Sequence, residues 1–127
     1  MAQYAQIVEI VAPSQAVSGE KVDITVRIKN TYSAPIGIMV AGALEYGVTP
    51  WPGITFPENS ANVNAGSIHS FSGYLTMPDK AVTIHAYSYW YGADSSWHFD
   101  DEKTKYVALA TLTPQVSEFK IADFTRV

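Results

Sequence analysis

The sequence predicts an all-β fold, a sandwich of about seven or eight antiparallel strands. No segment shows the sustained apolar period of 3.6 residues that an amphipathic helix requires. Turn signals recur every ten or so residues between short apolar runs, which is typical of all-β sandwiches. One run alternates apolar and polar residues without a break, which indicates an antiparallel sheet with one face in solvent.

The first two strands are predicted on either side of a turn. Residues 4–11 form the first strand, which stops at Pro13, because a residue without an N–H suits a strand edge or exit. Residues 14–20 are predicted as a turn, in which Gly19 reaches positive φ easily. The alternating run follows and is predicted to form the second strand. Its core-facing residues are Val22, Ile24, Val26 and Ile28, and its solvent-facing residues are Asp23, Thr25, Arg27 and Lys29.

The middle of the chain holds two further strands and one irregular segment. Residues 36–46 form a long apolar strand, in which Gly37 and Gly42 indicate a bulge or a close backbone approach. Residues 48–64 are the least regular part, because their prolines leave little room for a central strand. Residues 67–76 form the next strand, whose more apolar face comprises His69, Phe71, Gly73 and Leu75.

The strand predicted at residues 81–91 organises the rest of the sandwich. It follows a turn in which Pro78 fixes φ and Asp79 can bond its own backbone. Because side chains alternate along a strand, one face is predicted to lie in the core and the other is rich in aromatic residues. The two faces are Val82, Ile84, Ala86, Ser88 and Trp90, and Thr83, His85, Tyr87, Tyr89 and Tyr91.

The end of the chain is predicted as a loop, a last strand and an extension. Residues 92–102 form an acidic, aromatic loop and residues 103–112 the final strand, so that the sandwich occupies residues 1–112. Residues 113–127 are too apolar for a disordered tail. We expect them to pair with a sheet edge of a neighbouring subunit, or to fold back as an extra strand or short helix on their own sandwich. The apolar residues of this interaction arm are Val116, Phe119, Ile121, Phe124 and Val127.

Composition narrows the classes of function. A chain of 127 residues fits one domain, and the absence of cysteine excludes disulfides. The net charge is −4 and the basic residues are scattered, which argues against nucleic acid or an anionic membrane as a partner. No apolar run approaches the roughly 20 residues of a membrane span, and residues 1–4 lack the features of a signal peptide.

One stretch carries a resemblance to a known family. Residues 13–30, PSQAVSGEKVDITVRIKN, place Gly19 and Glu20 before a strand and Asn30 at its end, and Met-Pro-Asp-Lys precedes a later Val/Ile/Tyr strand. This pattern resembles immunoglobulin-like Greek-key sandwiches related to CARDB (cell-adhesion-related) domains, over most of residues 5–112. The resemblance implies a role in prokaryotic surface proteins or viral structural proteins. It carries no catalytic residues, and the chain departs from the adhesion type in lacking a signal peptide and in being a single module.

Two sets of residues, three histidines and four acids, are candidate metal ligands. The three histidines, His69, His85 and His98, lack the short spacings of zinc motifs, so exposed or hydrogen-bonded strand positions are the simpler interpretation. Four acids of the predicted loop offer the hard oxygen ligands that calcium prefers. Their spacing matches no recognised calcium loop, which favours a solvated acidic loop: Asp94, Asp100, Asp101 and Glu102. We expect no cofactor.

The sequence predicts no enzyme. A nucleophile needs a positioned base and an oxyanion donor, and the serines, histidines and aspartates of this chain form no local motif of that kind. Asp100 and Asp101, as neighbours in an extended segment, are expected to point to opposite faces.

The aromatic residues offer a binding surface. They are either a half-buried structural face or a platform that stacks on sugar rings, with the loop acids as hydroxyl acceptors. The candidates are Tyr87, Tyr89, Tyr91 and Trp97, with Trp51 in a separate proline-rich loop.

Together these observations predict a structural and interaction protein. Apolar residues make up 47% of the chain and charged residues only 16%, a balance that leaves apolar surface to be buried in an assembly. We expect a homo-oligomer or a complex with other particle proteins, decorating a virion or another extracellular assembly, or otherwise a cytoplasmic protein. The alternative is a carbohydrate-binding or adhesion module, for which a glycan is the ligand.

Overall fold

The computed structural model describes residues 2–111 and confirms the all-β sandwich. Within these residues no helix is long and apolar enough to cross a bilayer. The strands in chain order are β1 (Ala5–Val11), β2 (Gln15–Val17), β3 (Lys21–Asn30), β4 (Ile36–Glu45), β5 (Ser60–Val63), β6 (Ile68–Thr76), β7 (Val82–Tyr91) and β8 (Trp97–Ala110).

The strands form two sheets that enclose one core. The smaller sheet has the order β1-β3-β6 and the larger one the order β2-β8-β7-β4-β5. Neighbours pair antiparallel, except that β2 runs parallel to β8. The alternation of β3 and β7 is confirmed, because the predicted inner side chains are at most 2% exposed, except for Trp90, which is partly buried against the core: Val22, Ile24, Val26 and Ile28 on β3, and Val82, Ile84, Ala86 and Ser88 on β7.

A buried asparagine ends β3. Asn30 is fully buried, and its side-chain NH₂ donates to the carbonyl oxygens of Ala34 and Val63, each at 2.9 Å. Its side-chain oxygen accepts a hydrogen bond from the N–H of Tyr32 at 2.7 Å. Burial of an amide is costly unless its polar atoms are paired, and here they fix the turn that leads into β4.

The irregular segment between β4 and β5 closes one side of the sandwich. Ile54 and Phe56 insert beside two glycines, since a Cβ at Gly42 would lie 2.9 Å from Ile54 Cδ1 and a Cβ at Gly73 would lie 2.6 Å from Phe56 Cδ1. Gly42 therefore marks a close approach, and the pairing of β4 with β7 runs past it without a bulge.

Two boundaries differ from the sequence prediction. The turn predicted at residues 14–20 contains β2, whose pairing partner β8 lies more than ninety residues away and is invisible in local sequence. Gly19 has the expected positive φ, 84°, directly after this strand. The irregular segment predicted at residues 48–64 ends in β5, a short strand at the edge of the larger sheet.

The acidic loop predicted at residues 92–102 is largely a strand, and this prediction was wrong. β8 begins at Trp97, so that only residues 92–96 turn the chain. The pairing of β7 with β8 shifts by one residue, from Ser88 with Asp101 to Tyr89 with Phe99, which leaves Asp100 as the extra residue of a bulge. Aspartate is uncommon in β-strands, but here hydrogen bonds to distant residues outweigh its low strand propensity.

These hydrogen bonds join β1 to the opposite sheet. The carboxylate of Asp100 accepts from the N–H groups of Gln3, Tyr4 and Ala5 at 2.6–2.8 Å, and that of Asp101 accepts from the N–H of Ile7 at 2.9 Å. Ser88, which is fully buried, donates its hydroxyl to the carbonyl of Ala5 at 2.6 Å. The expectation that Asp100 and Asp101 point to opposite faces is therefore wrong, because the bulge turns both toward β1.

Candidate functional site

The outer face of the larger sheet gathers most of the exposed aromatic side chains of the described residues. The registers of β4, β7 and β8 place alternate residues side by side on this face, away from the core. We call it the aromatic face. It comprises Met39, Ala41, Ala43 and Glu45 on β4, Thr83, His85, Tyr87, Tyr89 and Tyr91 on β7, Trp97, Phe99, Glu102, Thr104 and Tyr106 on β8, and Trp51 from the β4–β5 segment.

Five rings form a continuous row along the middle of the aromatic face. Trp51 stacks on His85 with centroids 4.5 Å apart, and His85 is followed by Tyr87 at 6.3 Å. Phe99 lies 6.2 Å from Tyr87 and 5.8 Å from Tyr89, so that it joins these two tyrosines. The side chain of Phe99 is 58% exposed, which leaves a large apolar group in water.

A second aromatic pair lies at the end of the same face. Tyr91 and Trp97 meet edge to face, with centroids 5.1 Å apart. The indole lies over Gly37 of β4, where a Cβ would be 3.4 Å from Trp97 Cη2 and 3.2 Å from Tyr91 Cβ. The pair borders a shallow cleft of about 330 Å³ that also contains Ser60 and Asn62.

The charged groups of the aromatic face are combined in one cluster. His85 Nε2 lies 2.8 Å from Glu45 Oε1, and His85 Nδ1 lies 2.8 Å from Glu102 Oε2. Burial disfavours the charged imidazolium, but hydrogen bonds to Glu102 and Glu45 and the charges of both outweigh burial and raise the pKa of His85. The protonated ring donates from both nitrogens, which matches two carboxylate acceptors.

The neighbouring phenol has no special reactivity. Burial, together with the negative charge of Glu102, raises the pKa of Tyr87, so that its hydroxyl stays protonated at neutral pH. The polar groups in the middle of the aromatic face therefore hold each other in place, and the remaining surface offers ring faces and small apolar side chains.

The four acids considered as calcium ligands do not converge, because they bind partners in three different places. Asp94 lies in the β7–β8 turn, where hydrogen bonds from His98 and Ser96 lower its pKa. Asp100 and Asp101 bind backbone N–H groups of the N-terminal segment, and Glu102 binds His85. Across residues 2–111 no three His, Asp or Glu side chains converge in a way that could hold a metal ion.

The turn before β8 contains a serine, a histidine and an aspartate in contact. Ser96 Oγ lies 3.3 Å from His98 Nε2, and Asp94 Oδ1 lies 3.0 Å from the same nitrogen. A catalytic triad needs the serine and the acid on different ring nitrogens, because the acid orients the base that takes the serine proton. Here Ser96 and Asp94 both contact Nε2 of His98, so the three residues are not arranged as a catalytic triad.

The other histidines do not join His85. His98 stacks on Trp90 with centroids 4.5 Å apart, on the inner side of the larger sheet. His69 lies on β6 in the other sheet, packs against Phe71, and its Nε2 is buried with no hydrogen-bond partner among the described residues.

The structure places all five predicted aromatic candidates on one face. Tyr87, Tyr89 and Tyr91 follow from the alternation of β7, whereas Trp51 reaches the face by stacking on His85. Sequence reasoning missed Phe99, although its spacing of two from Trp97 is a strand signal that the nearby acids obscured. The residues of the predicted interaction arm, 113–127, lie outside the described part of the chain.

Comparison with known proteins identifies a fold but no family. No protein-family model matches the chain, and no curated protein matches its sequence. Among solved structures, the CARDB domain of a Pyrococcus furiosus protein, in complex with di-metal ions, is similar over 86% of this chain and 91% of that one. The TM-score is 0.57 and the sequence identity is 11%.

Two further structures contain the same fold as part of a longer chain. A sporulation control protein of Bacillus subtilis is 16% identical with a TM-score of 0.53, and 85% of this chain covers 51% of that one. An alkylpurine DNA glycosylase of Pseudomonas fluorescens, bound to DNA containing an abasic site analogue, is 12% identical with a TM-score of 0.58. There 83% of this chain covers 30% of the glycosylase. The class defined by the fold is thus an immunoglobulin-like, CARDB-like β-sandwich.

Proposed function

We propose that this chain is a non-enzymatic interaction domain whose aromatic face binds a second copy of the chain. The observation that carries the proposal is the contrast between the two outer faces of the sandwich. The outer face of the smaller sheet is rich in charged and hydroxyl side chains, such as Lys21, Arg27 and Ser72. The aromatic face instead leaves Phe99, Trp97 and other rings in water, and contiguous apolar patches of this kind mark interaction sites.

The charge of the aromatic face favours a second copy as the partner. Its acids, Glu45 and Glu102, are both bound to His85, whose raised pKa favours the cation that offsets part of their charge. Little unpaired charge remains to recognise an oppositely charged protein. Homodimer interfaces are the more apolar class of protein interface, which fits such a surface.

The size of the aromatic face is adequate for a dimer. β4 and β7 have ten residues each and are therefore roughly 33 Å long. With the flanking strands β2 and β5 included, and with neighbouring strands about 4.8 Å apart, this side of the larger sheet offers roughly 650 Å². A standard interface buries about 800 Å² per partner, with a lower bound near 600 Å².

Light scattering of matched variants tests this proposal. Phe99→Arg places a charge at the centre of the aromatic face, and Ile68→Arg places the same charge on the outer face of the smaller sheet, where Ile68 is 42% exposed. We expect the wild-type protein and Ile68→Arg to be dimers and Phe99→Arg to be a folded monomer. A wild-type monomer at all accessible concentrations, or equal effects of the two variants, would contradict the proposal.

The larger assembly that we propose is a virion or another extracellular particle, on which the domain is a capsid-associated or decoration protein. The support is the composition, with 47% apolar and 16% charged residues, together with the exposed aromatic face. Residues 113–127 are proposed to act as an arm to a neighbouring subunit. Deletion of residues 114–127 should leave a folded sandwich that still dimerises through the aromatic face but no longer assembles into the larger particle, and unfolding or normal particle assembly of the truncated protein would contradict the arm.

Glycan binding is the second candidate, favoured by the cleft beside Tyr91 and Trp97. Aromatic rings stack on sugars, and the side chains of Asn62 and Ser60 at this cleft can bond hydroxyl groups. Affinity electrophoresis with a panel of polysaccharides should show retardation that Trp97→Ala abolishes and Tyr106→Ala preserves. Unchanged mobility of the wild-type protein would exclude these polysaccharides as ligands.

A further inference from the structure

A second aromatic cavity lies at one end of the sandwich, apart from the centre of the aromatic face. Its volume is about 350 Å³, and it lies between the N-terminal segment, the β3–β4 turn and the β7–β8 turn. The lining consists of four aromatic and two aliphatic residues: Tyr4, Tyr32, Ile36, Trp90, Tyr91 and Ala93.

The rings of this cavity stand nearly perpendicular to one another. Tyr4 meets Tyr32 with centroids 4.8 Å apart and an interplanar angle of 68°. Tyr4 also meets Trp90, with centroids 5.0 Å apart and an interplanar angle of 85°. The cavity is therefore bounded by aromatic groups in several orientations, and the faces of such rings carry partial negative charge.

The two tyrosines at the rim are held in position before any ligand arrives. Asp100 accepts a hydrogen bond from the N–H of Tyr4 at 2.8 Å, and the carbonyl of Tyr4 accepts one from the N–H of Thr31 at 2.8 Å. The N–H of Tyr32 donates to the buried side chain of Asn30 at 2.7 Å. Because these backbone positions are fixed, binding requires little ordering of the rim.

The charge around the cavity favours a cation. In the segments that line it, residues 2–4, 31–36 and 90–96, the one charged side chain among Asp, Glu, Lys and Arg is Asp94. Cations are attracted to aromatic faces, most strongly where water is displaced. The lining contains no carboxylate, however, so the N–H donors of a lysine or arginine side chain would lose water without a charged acceptor.

We propose that this cavity binds a trimethylammonium group. Such a group is cationic and has no N–H donor to satisfy, which fits a cavity of rings and aliphatic side chains whose lining segments contain no lysine or arginine. The same chemistry occurs in free choline, in choline lipid headgroups and in trimethylated lysine. The cavity shares Tyr91 with the aromatic face, but the proposal does not require that this face forms a dimer.

Titration with choline tests the proposal, with 3,3-dimethylbutan-1-ol as the uncharged analogue of the same shape. We expect choline to bind about tenfold more tightly than the alcohol, measured by calorimetry or by shifts of backbone amide resonances. Equal affinities would show an apolar cavity without cation recognition and would overturn the proposal. Absence of choline binding would also overturn it.

Three variants separate the cavity from the fold. Tyr32 is 40% exposed and its ring contacts Tyr4, so Tyr32→Ala should lower the melting temperature slightly, leave the protein folded, and weaken choline binding about tenfold. Tyr32→Phe should restore binding because the ring is retained. Tyr106→Ala, on the aromatic face, is the matched control and should bind normally. Normal binding by Tyr32→Ala would contradict the assignment. Sedimentation with phosphatidylcholine vesicles then distinguishes a lipid headgroup from a free small molecule.

Discussion

β7 contributes two faces that differ in what they do for the protein. Val82, Ile84 and Ala86 on the inner face are at most 1% exposed and belong to the core. On the outer face, His85 and Tyr87 are bound to neighbouring side chains but remain at the surface. Residues one position apart thus serve stability and recognition separately, and substitutions on the two faces should be distinguishable by the property that they change.

The largest expected effect is on the inner face. Ile84→Ala should lower the free energy of unfolding by about 2–5 kcal/mol, because it removes buried methyl groups and leaves a cavity. Thr83→Ala, its neighbour on the outer face, should lower it by less than about 1 kcal/mol. Urea or thermal unfolding measures both, and equal losses would show that the two faces do not differ as described.

The same comparison can be made on β8. Asp100 stabilises the fold by binding backbone N–H groups of the N-terminal segment, whereas Glu102 binds His85 on the outer face. Asp100→Ala leaves three backbone N–H groups without their acceptor, of which two are partly buried. We expect a loss of about 2–4 kcal/mol in the free energy of unfolding. Asp79→Ala, at an exposed acid in the β6–β7 turn, is the control and should change stability by less than about 0.5 kcal/mol.

A pH dependence should distinguish the outer face from the inner one. The folded-state pKa of His85 is raised above its ordinary value of 6.5, so its protonation stabilises the fold fully below pH 6.5 and this contribution is lost as pH rises through the folded pKa. Unfolding free energies should therefore fall across that range. The double variant Glu45→Gln and Glu102→Gln should flatten the profile, and an NMR titration midpoint of His85 below 6.5 would contradict this account.

The smallest expected effect is that of a chelator. Because Asp100, Asp101 and Glu102 are occupied by backbone N–H groups and His85, the melting temperature of the purified protein should not change when chelator is added. A decrease of several degrees would mean that a bound metal ion, and not these hydrogen bonds, holds this part of β8.

Local alternation was sufficient to predict most of the fold. β3, β6 and β7 each have one apolar face, so their inner residues and the sandwich class could be derived from the sequence. The aromatic face could be predicted in part, because Tyr87, Tyr89 and Tyr91 share the outer side of one strand. Asn30 at the end of β3 was also predictable, although its buried hydrogen bonds were not.

The remaining features depend on contacts between residues distant in sequence. The sequence predicts Asp100 and Asp101 to be loop residues, because their hydrogen-bond partners, N–H groups within residues 3–7, lie about ninety-five positions earlier. β2 is too short to show a period and is defined by its pairing with β8. Trp51 approaches His85 through an irregular segment whose course no local rule specifies.

The parallel pairing of β2 with β8 has a mechanical consequence. Gln15 pairs with Ala108 and Val17 with Ala110, so the two strands run in the same direction. A pull on the start of β2 and the end of β8 would act along the strands in opposite senses and shear all of these hydrogen bonds together. An antiparallel pair pulled at one end would open its bonds one after another. The domain is thus arranged to resist tension between these two points before its sheets separate.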